Sequence, residues 1–166
     1  MTLGTGQKAP DFALRDQHGQ TVALSSFRGE RSVVLMFYPF AFSRVCTGEL
    51  SEIRDNLSRF ESDDVQLLAV SCDPMFTLRA FADHDRLTFP LLSDFWPHGE
   101  VSAAYGVFDA ERGCSSRSTF IVDPEGVLRW SVHNPMREAR DVAEYARILA
   151  EIAAGPAPAG GLPGAG

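Results

Sequence analysis

The sequence predicts an α/β fold in which helices flank a central mixed sheet, with a β-hairpin at the N-terminus. Apolar runs of strand length alternate with segments in which apolar residues recur every three or four positions, the pattern of a sheet covered by helices. The last two strand-like runs are joined by a short turn and form a hairpin, which makes the sheet a mixed one. At 166 residues, the chain has the length of one domain.

Strands are predicted from runs of strand length bounded by turn-forming residues. The N-terminal hairpin comes first, with its two strands on either side of Gln17–Gln20. The runs 32–38 and 65–71 are almost entirely apolar, which is typical of central strands buried on both faces. A turn over Asp123–Gly126 joins the last two strands. The predicted strands cover 9–14, 21–24, 32–38, 65–71, 89–93, 119–122 and 127–130.

Helices are predicted where the apolar spacing changes to three or four residues. The first helix would bury Leu50, Ile53 and Leu57 on one face. Asp73 is expected to cap the second helix, with Pro74 in its first helical position. The predicted helices cover about 44–61, 74 onwards, 101–105 and about 138–153.

One domain is expected over residues 1–153. Residues 154–166 consist of alanine, glycine and proline apart from Leu162. We expect this tail to be disordered, because it has too few apolar side chains to bury in a core.

Composition and charge exclude several classes of protein. The chain is 45% hydrophobic and 22% charged, close to the globular average, which excludes collagen-like, coiled-coil and wholly disordered chains. Its formal net charge of −7 disfavours nucleic acid and anionic membrane surfaces as partners. No apolar run reaches the length of a membrane span, and residues 1–8 lack the layout of a signal peptide. We therefore expect a cytoplasmic protein.

The strongest functional signal lies where the first central strand meets the first helix. Cys46 falls in or just before the first turn of that helix, where unpaired backbone N–H groups and the helix dipole favour a thiolate. Arg44 adds a positive charge nearby. Ser43 and Glu49 occupy the positions three before and three after Cys46, so no CxxC dithiol is present. A single nucleophilic cysteine is expected, beside a hydroxyl suited to a small polar substrate.

Other interpretations of the cysteines and histidines stay open at this point. Cys46 could be an inert buried thiol, although its polar neighbours are unusual for one. Cys72 ends an apolar strand and is expected to pack in the core, whereas Cys114 lies in a polar segment and is expected to be more exposed. A cysteine hydrolase would need His98 or His133 beside Cys46 as a base. The histidines lack the spacing of a zinc site, and no metal or cofactor is expected.

The pattern Pro39-x-x-x-Ser43-x-x-Cys46 resembles the active-site motif of the peroxiredoxin family, Pro-x-x-x-Thr/Ser-x-x-Cys. The resemblance is to the AhpC/TSA type and extends over about residues 4–153. Ser93–Gly99 is similar in particular to the one-cysteine subgroup called alkyl hydroperoxide reductase E. Further matching segments are Ala9–Phe12, Phe89–Asp94, Tyr105–Val107 and Arg117–Asp123. The resemblance implies a thioredoxin-like fold and a thiol peroxidase.

The resemblance also implies roles for individual residues. Cys46 would be the peroxidatic cysteine, whose thiolate attacks a peroxide and becomes a sulfenic acid. The negative charge that develops on the leaving oxygen would be stabilised by three hydrogen-bond donors: the Ser43 hydroxyl, the Cys46 backbone N–H and the Arg117 guanidinium. Pro39 would shield the sulfur from water, and Glu49 would orient Arg117. The family more often has threonine at the position of Ser43, so weaker positioning is expected but the same reaction.

Several routes could regenerate the cysteine. Ser51 stands where one subgroup places a resolving cysteine, and the tail lacks the Val-Cys-Pro motif of another. These departures favour a one-cysteine mechanism that uses an external thiol or a thioredoxin- or mycoredoxin-like reductant. A resolving role for Cys114 or Cys72 is an alternative, as is a peroxide-sensing redox switch or holdase. The expected substrates are hydrogen peroxide and organic hydroperoxides, and the expected assembly is a homodimer.

Overall fold

The structure is a computed structural model that describes residues 3–135, 138 and 140–153. Its strands are β1 (Ala13–Arg15), β2 (Thr21–Ala23), β3 (Ser32–Phe37), β4 (Val65–Ser71), β5 (Leu91–Ser93), β6 (Phe108–Asp109), β7 (Cys114–Ser115), β8 (Ser118–Val122) and β9 (Leu128–His133). Its α-helices are α1 (Arg44–Asp55), α2 (Met75–Asp85), α3 (Glu100–Ala104) and α4 (Val142–Ala153). Short 3₁₀ helices cover Leu24–Phe27 and Leu57–Arg59.

A seven-stranded sheet forms the centre of the fold, with strand order β2-β1-β5-β4-β3-β8-β9. β3 pairs in parallel with β4 and antiparallel with β8. β6 and β7 form a separate two-stranded hairpin. The mixed α/β architecture and its N-terminal hairpin confirm the predicted fold class.

The two faces of the sheet pack against separate hydrophobic clusters. Alternate side chains of β3 enter opposite clusters, as the two-residue period of a strand requires, and every residue of β3 is buried. One cluster includes residues of α1, α2 and α4, and the other includes Val101 of α3. Cys46 belongs to the first of these clusters. No helix in the described part of the chain is long and apolar enough to cross a membrane.

Two helix boundaries differ from the sequence expectation. The helix expected to continue to about residue 61 ends at Asp55 and is followed by a 3₁₀ turn. The Asn56 side chain donates to the carbonyl oxygen of Glu52 at 2.9 Å, a local bond that competes with the helical pattern. The last helix begins at Val142. The predicted disordered tail lies outside the described residues.

The expectation that Asp73 caps α2 is wrong. Pro74 is the N-cap residue, and no side chain in the described part of the chain caps the helix. The Asp73 carboxylate instead accepts hydrogen bonds from the backbone N–H of Ala41 at 2.8 Å and from the Ser71 hydroxyl at 2.7 Å. Asp73, which has the local sequence pattern of a helix cap, therefore forms a long-range hydrogen bond with the loop after β3.

Candidate active site

Cys46 is the third residue of α1, just after the loop that follows β3. Ser43 is the N-cap residue, with extended backbone, and its carbonyl oxygen accepts a hydrogen bond from Thr47 at 2.8 Å. The Cys46 side chain is fully buried. Cys46 therefore lies in the first turn of α1, where the backbone N–H groups have no carbonyl partner within the helix.

Arg117 provides the cation beside this sulfur. Its Nη2 atom donates to Cys46 Sγ at 3.4 Å, and the side chain is buried. The antiparallel register places Ser118 opposite Phe37, the last residue of β3. Arg117 therefore lies just beyond the end of β3, beside the loop that leads to Cys46. A buried guanidinium is thus held within hydrogen-bond distance of the cysteine sulfur.

Glu49 is buried one turn after Cys46 on α1 and joins two arginines. Its Oε1 atom accepts hydrogen bonds from Nη1 of Arg117 and, at 2.8 Å, from Nη1 of Arg140. Its Oε2 atom accepts a hydrogen bond from the backbone N–H of Arg140 at 2.6 Å. A carboxylate held from both sides in this way fixes the plane of the Arg117 guanidinium, which is the contact expected from the family resemblance.

Arg140 is a site residue that sequence reasoning missed. Its guanidinium donates to Thr119 Oγ1 at 2.8 Å and to the backbone carbonyl oxygens of Phe37 and Ser118. Burial lowers the pKa of Arg140, and the charge of Glu49 opposes that change. The signal that could have revealed Arg140 was Glu49 itself. A carboxylate on the apolar face of an amphipathic helix needs cations that the helix does not supply.

A cavity of about 230 Å³ has Arg117, the residue that contacts the Cys46 sulfur, in its wall. The Ser43 hydroxyl donates to the carbonyl oxygen of Phe40 at 2.9 Å, so its proton is engaged within the loop. The cavity is lined by Pro39, Phe40, Ser43, Arg44, Val45, Arg112 and Arg117. This lining joins apolar surface to three guanidinium groups, which suits a small substrate with a polar reacting end.

Phe42, in the loop between β3 and α1, has an unusual backbone conformation and packs its ring on α2. Its φ of 69° lies in the left-handed region, which residues other than glycine seldom adopt. Its ring packs on Phe81 with centroids 5.0 Å apart and on His84 at 6.0 Å. The loop is thus fixed to α2 by this ring and to the end of β4 by Asp73.

Cys72 and Cys114 differ from Cys46 in their surroundings. Cys72 is buried, as expected, with its Sγ 3.6 Å from the Ser115 hydroxyl. The expectation that Cys114 is exposed is wrong, because the β6–β7 hairpin packs its side chain inward and leaves no exposed surface. Burial raises the pKa of Cys72, and burial together with the charge of Asp109 raises the pKa of Cys114 to about 11. Both stay protonated at neutral pH.

The described histidines do not provide a base for Cys46. His98 lies 3.0 Å from the carbonyl oxygen of Phe95 and 2.7 Å from that of Gly113. His133 lies 2.8 Å from the Ser118 hydroxyl. Among residues 3–135, 138 and 140–153, only Arg117 is within hydrogen-bond distance of the Cys46 sulfur. This geometry does not support a cysteine hydrolase.

Comparison with known proteins gives consistent matches over most of the chain. Residues 5–131 match the model of the AhpC/TSA family. The chain is 47% identical over 152 residues to alkyl hydroperoxide reductase E of Mycobacterium tuberculosis, which covers 92% of this chain and 99% of that protein. It is 37% identical over 162 residues to a chloroplastic 2-cysteine peroxiredoxin of Chattonella marina, with 92% and 82% covered.

Solved structures give similar matches. Peroxidoxin BcpB from Mycobacterium tuberculosis aligns with a TM-score of 0.80 at 31% identity, covering 93% of this chain and 99% of that one. AhpC of Enterococcus faecalis aligns with a TM-score of 0.83 at 28% identity, covering 92% and 93%.

Proposed function

Because this chain belongs to the AhpC/TSA family and is a peroxiredoxin with the thioredoxin-like fold of that family, we propose that it reduces hydrogen peroxide and organic hydroperoxides by a one-cysteine mechanism at Cys46. The observation that carries the proposal is the Arg117 guanidinium at 3.4 Å from a buried Cys46 sulfur. Glu49 fixes that guanidinium from its other side. The result is a thiolate site without a histidine, which fits peroxide better than an acyl substrate.

The reaction begins when the Cys46 thiolate attacks the terminal oxygen of the peroxide. A sulfur–oxygen bond forms, the O–O bond breaks, and its electron pair leaves on the second oxygen. That oxygen takes a proton from water and departs as water or an alcohol, and Cys46 becomes a sulfenic acid. Arg117 and the Cys46 backbone N–H donate to the leaving oxygen and stabilise its developing charge.

Ser43 and Pro39 shape the approach of the peroxide. The Ser43 proton is engaged by the Phe40 carbonyl oxygen. In this proposal Ser43 therefore does not donate to the leaving oxygen, as the family resemblance implied, but accepts a hydrogen bond from the peroxide O–H. The donors to the leaving oxygen are Arg117 and the Cys46 amide. Pro39 lines the cavity and limits the access of water to the sulfur.

An external thiol regenerates the enzyme in this proposal. It displaces water from the sulfenic acid to form a mixed disulfide, and a second thiol releases Cys46 and leaves as the oxidised partner. The burial and raised pKa values of Cys72 and Cys114 support an external reductant, because neither thiol ionises at neutral pH. The thiol could be carried by a thioredoxin- or mycoredoxin-like protein. We further propose that the protein forms a homodimer and acts in the cytoplasm.

A second candidate is a two-cysteine enzyme resolved by Cys114. One observation favours it: the β6–β7 hairpin that carries Cys114 also carries Arg112, which lines the same cavity as Arg117. Resolution would join Cys46 and Cys114 in a disulfide and release water.

Peroxide trapping separates the two mechanisms. The reduced protein is treated with one equivalent of hydrogen peroxide in the presence of dimedone, and the product is mapped by mass spectrometry. The one-cysteine mechanism gives a dimedone adduct on Cys46 alone, and a Cys72→Ser/Cys114→Ser variant turns over with an external thiol as fast as the wild type. A Cys46–Cys114 peptide with the loss of two hydrogens would establish the second mechanism instead. Reaction no faster than that of a free thiol would overturn the peroxidase itself.

A further inference from the structure

Arginines lie both inside the active site and at the rim of its cavity, and the two groups differ in their partners. In the interior, Arg117 and Arg140 both form ion pairs with the Glu49 carboxylate, and Arg117 also contacts the Cys46 sulfur.

Two arginines line the opening, and among the described residues only Arg112 has a carboxylate partner. Arg112 Nη1 forms an ion pair with Asp109 Oδ2 at 3.0 Å within the β6–β7 hairpin. Arg44 is exposed at the first position of α1, and no carboxylate of the described residues lies within salt-bridge distance of it. Arg44 therefore presents a guanidinium without a carboxylate partner among the described residues, two positions before Cys46, on a chain whose overall charge is −7.

We propose that Arg44, with Arg112 beside the same cavity, forms an anion subsite that gives the enzyme a preference for compact hydroperoxides bearing a carboxylate. This inference rests on the proposed peroxidase function and concerns only its substrate class. Hydrogen peroxide and neutral alkyl hydroperoxides make no use of a cation at the rim, because Arg117 already stabilises the leaving oxygen. A carboxylate on the substituent meets the planar donor fork of Arg44, which suits that group better than an ammonium would.

The size of the cavity limits the substrate that the subsite can serve. A space of about 230 Å³ holds a substituent of a few carbon atoms, and Phe40 and Val45 supply apolar surface for it. The carboxylate must lie close to the peroxide group if the sulfur and Arg44 are to be engaged together. The negative charge of the whole chain acts against anions at long range, so the preference depends on the short-range contact and weakens as salt increases.

The test compares two peroxides that differ only in charge. β-Hydroperoxyisovalerate and its neutral methyl ester are each reacted with reduced protein, and the second-order rate constant of Cys46 oxidation is measured by stopped flow at low and high ionic strength. The ratio of the two rate constants within one variant cancels any effect of a substitution on the cysteine itself.

Arg44→Glu is the informative variant, because an acidic residue in the first helical turn favours the helix and preserves folding. Arg59→Glu, on the exposed 3₁₀ turn beyond the end of α1, makes the same change in net charge away from the cavity.

In the wild type at low salt, the acid is expected to oxidise Cys46 about threefold faster than the ester does, in line with the strength of exposed charge pairs. Arg44→Glu is expected to lower the acid-to-ester ratio by about tenfold, since one attraction is replaced by one repulsion. Arg59→Glu keeps the wild-type ratio. Equal wild-type rates for acid and ester, or an equal effect of the two variants, would overturn the anion subsite while hydrogen peroxide still oxidises Cys46. Failure of all three peroxides would instead overturn the proposed function.

Discussion

Glu49 and Arg140 are joined twice, once through the backbone N–H of Arg140 and once through its guanidinium. The two residues lie 91 positions apart in the chain, one on α1 and the other just before α4. Because Glu49 also binds Arg117, the same carboxylate fixes the cation beside the reactive sulfur. Structural stability and, in the proposed mechanism, the activation of Cys46 therefore depend on one side chain.

Replacing Glu49 by glutamine is expected to lower the free energy of unfolding by about 3–5 kcal/mol, because two buried guanidinium groups lose their carboxylate. Urea denaturation measures this change. Glu52→Gln on the exposed face of α1 is the matched control and should shift stability by less than about 0.5 kcal/mol. Equal effects of the two substitutions would show that the buried ion pairs add nothing to stability.

Replacing Arg117 by lysine is expected to slow the oxidation of Cys46 by about a hundredfold or more, the usual cost of losing one oriented donor to a developing charge. Lysine keeps the charge, but its single nitrogen replaces the two nitrogens with which Arg117 contacts Glu49 and Cys46. Stopped-flow measurement of Cys46 oxidation by hydrogen peroxide gives the rate. Arg129→Lys, in the half-exposed pair with Asp123, is the control. A wild-type rate in Arg117→Lys would mean that charge alone suffices.

The raised pKa of Cys114 predicts a loss of stability at high pH. The folded protein keeps the thiol protonated up to about pH 11, whereas the unfolded chain releases the proton near the ordinary value of 9.0. The stabilising effect is therefore complete below pH 9 and decreases as the pH rises towards 11. Urea denaturation at pH 8, 9 and 10 should show a smaller decrease for Cys114→Ala than for the wild type. Parallel curves would contradict the prediction.

Replacing Asp73 by alanine is expected to cost about 1–3 kcal/mol, because the Ala41 N–H loses its acceptor, and to slow Cys46 oxidation because the loop after β3 is less well fixed. Asp73→Asn keeps an oxygen acceptor and should recover part of the rate. Asp83→Ala, exposed on α2, controls for the general effect of removing a carboxylate. An unchanged oxidation rate in an unstable Asp73→Ala variant would limit Asp73 to a structural role.

Local patterns predicted the elements that carry the site. The apolar run at Val65–Ser71 is β4 residue for residue, and the strand-to-helix junction places Cys46 in the first turn of α1 as expected. These features depend on side chains close in sequence, which a periodic pattern records. The family resemblance added Arg117, which local patterns do not connect to Cys46.

The features that were missed depend on partners distant in sequence. Asp73 has the local pattern of a helix cap but bonds to Ala41, 32 residues earlier. Cys114 lies in a polar segment, yet the short β6–β7 hairpin buries it. Arg140 lies in a charged stretch with nothing to distinguish it from an exposed arginine. In each case, the burial or the bonding partner of the residue depends on tertiary packing, which the local sequence does not determine.

The distance along the chain between Cys46 and its activating partners has a consequence for biosynthesis. Arg117 follows Cys46 by 71 residues, and Arg140 follows Glu49 by 91. While the ribosome is still synthesising the second half, the nascent chain carries α1 without either guanidinium. On the proposed mechanism, the cysteine of this unfinished chain is expected to react with peroxide no faster than a free thiol does. High reactivity is expected only after β8 has brought Arg117 beside Cys46, so the unfinished chain would be protected from oxidative inactivation.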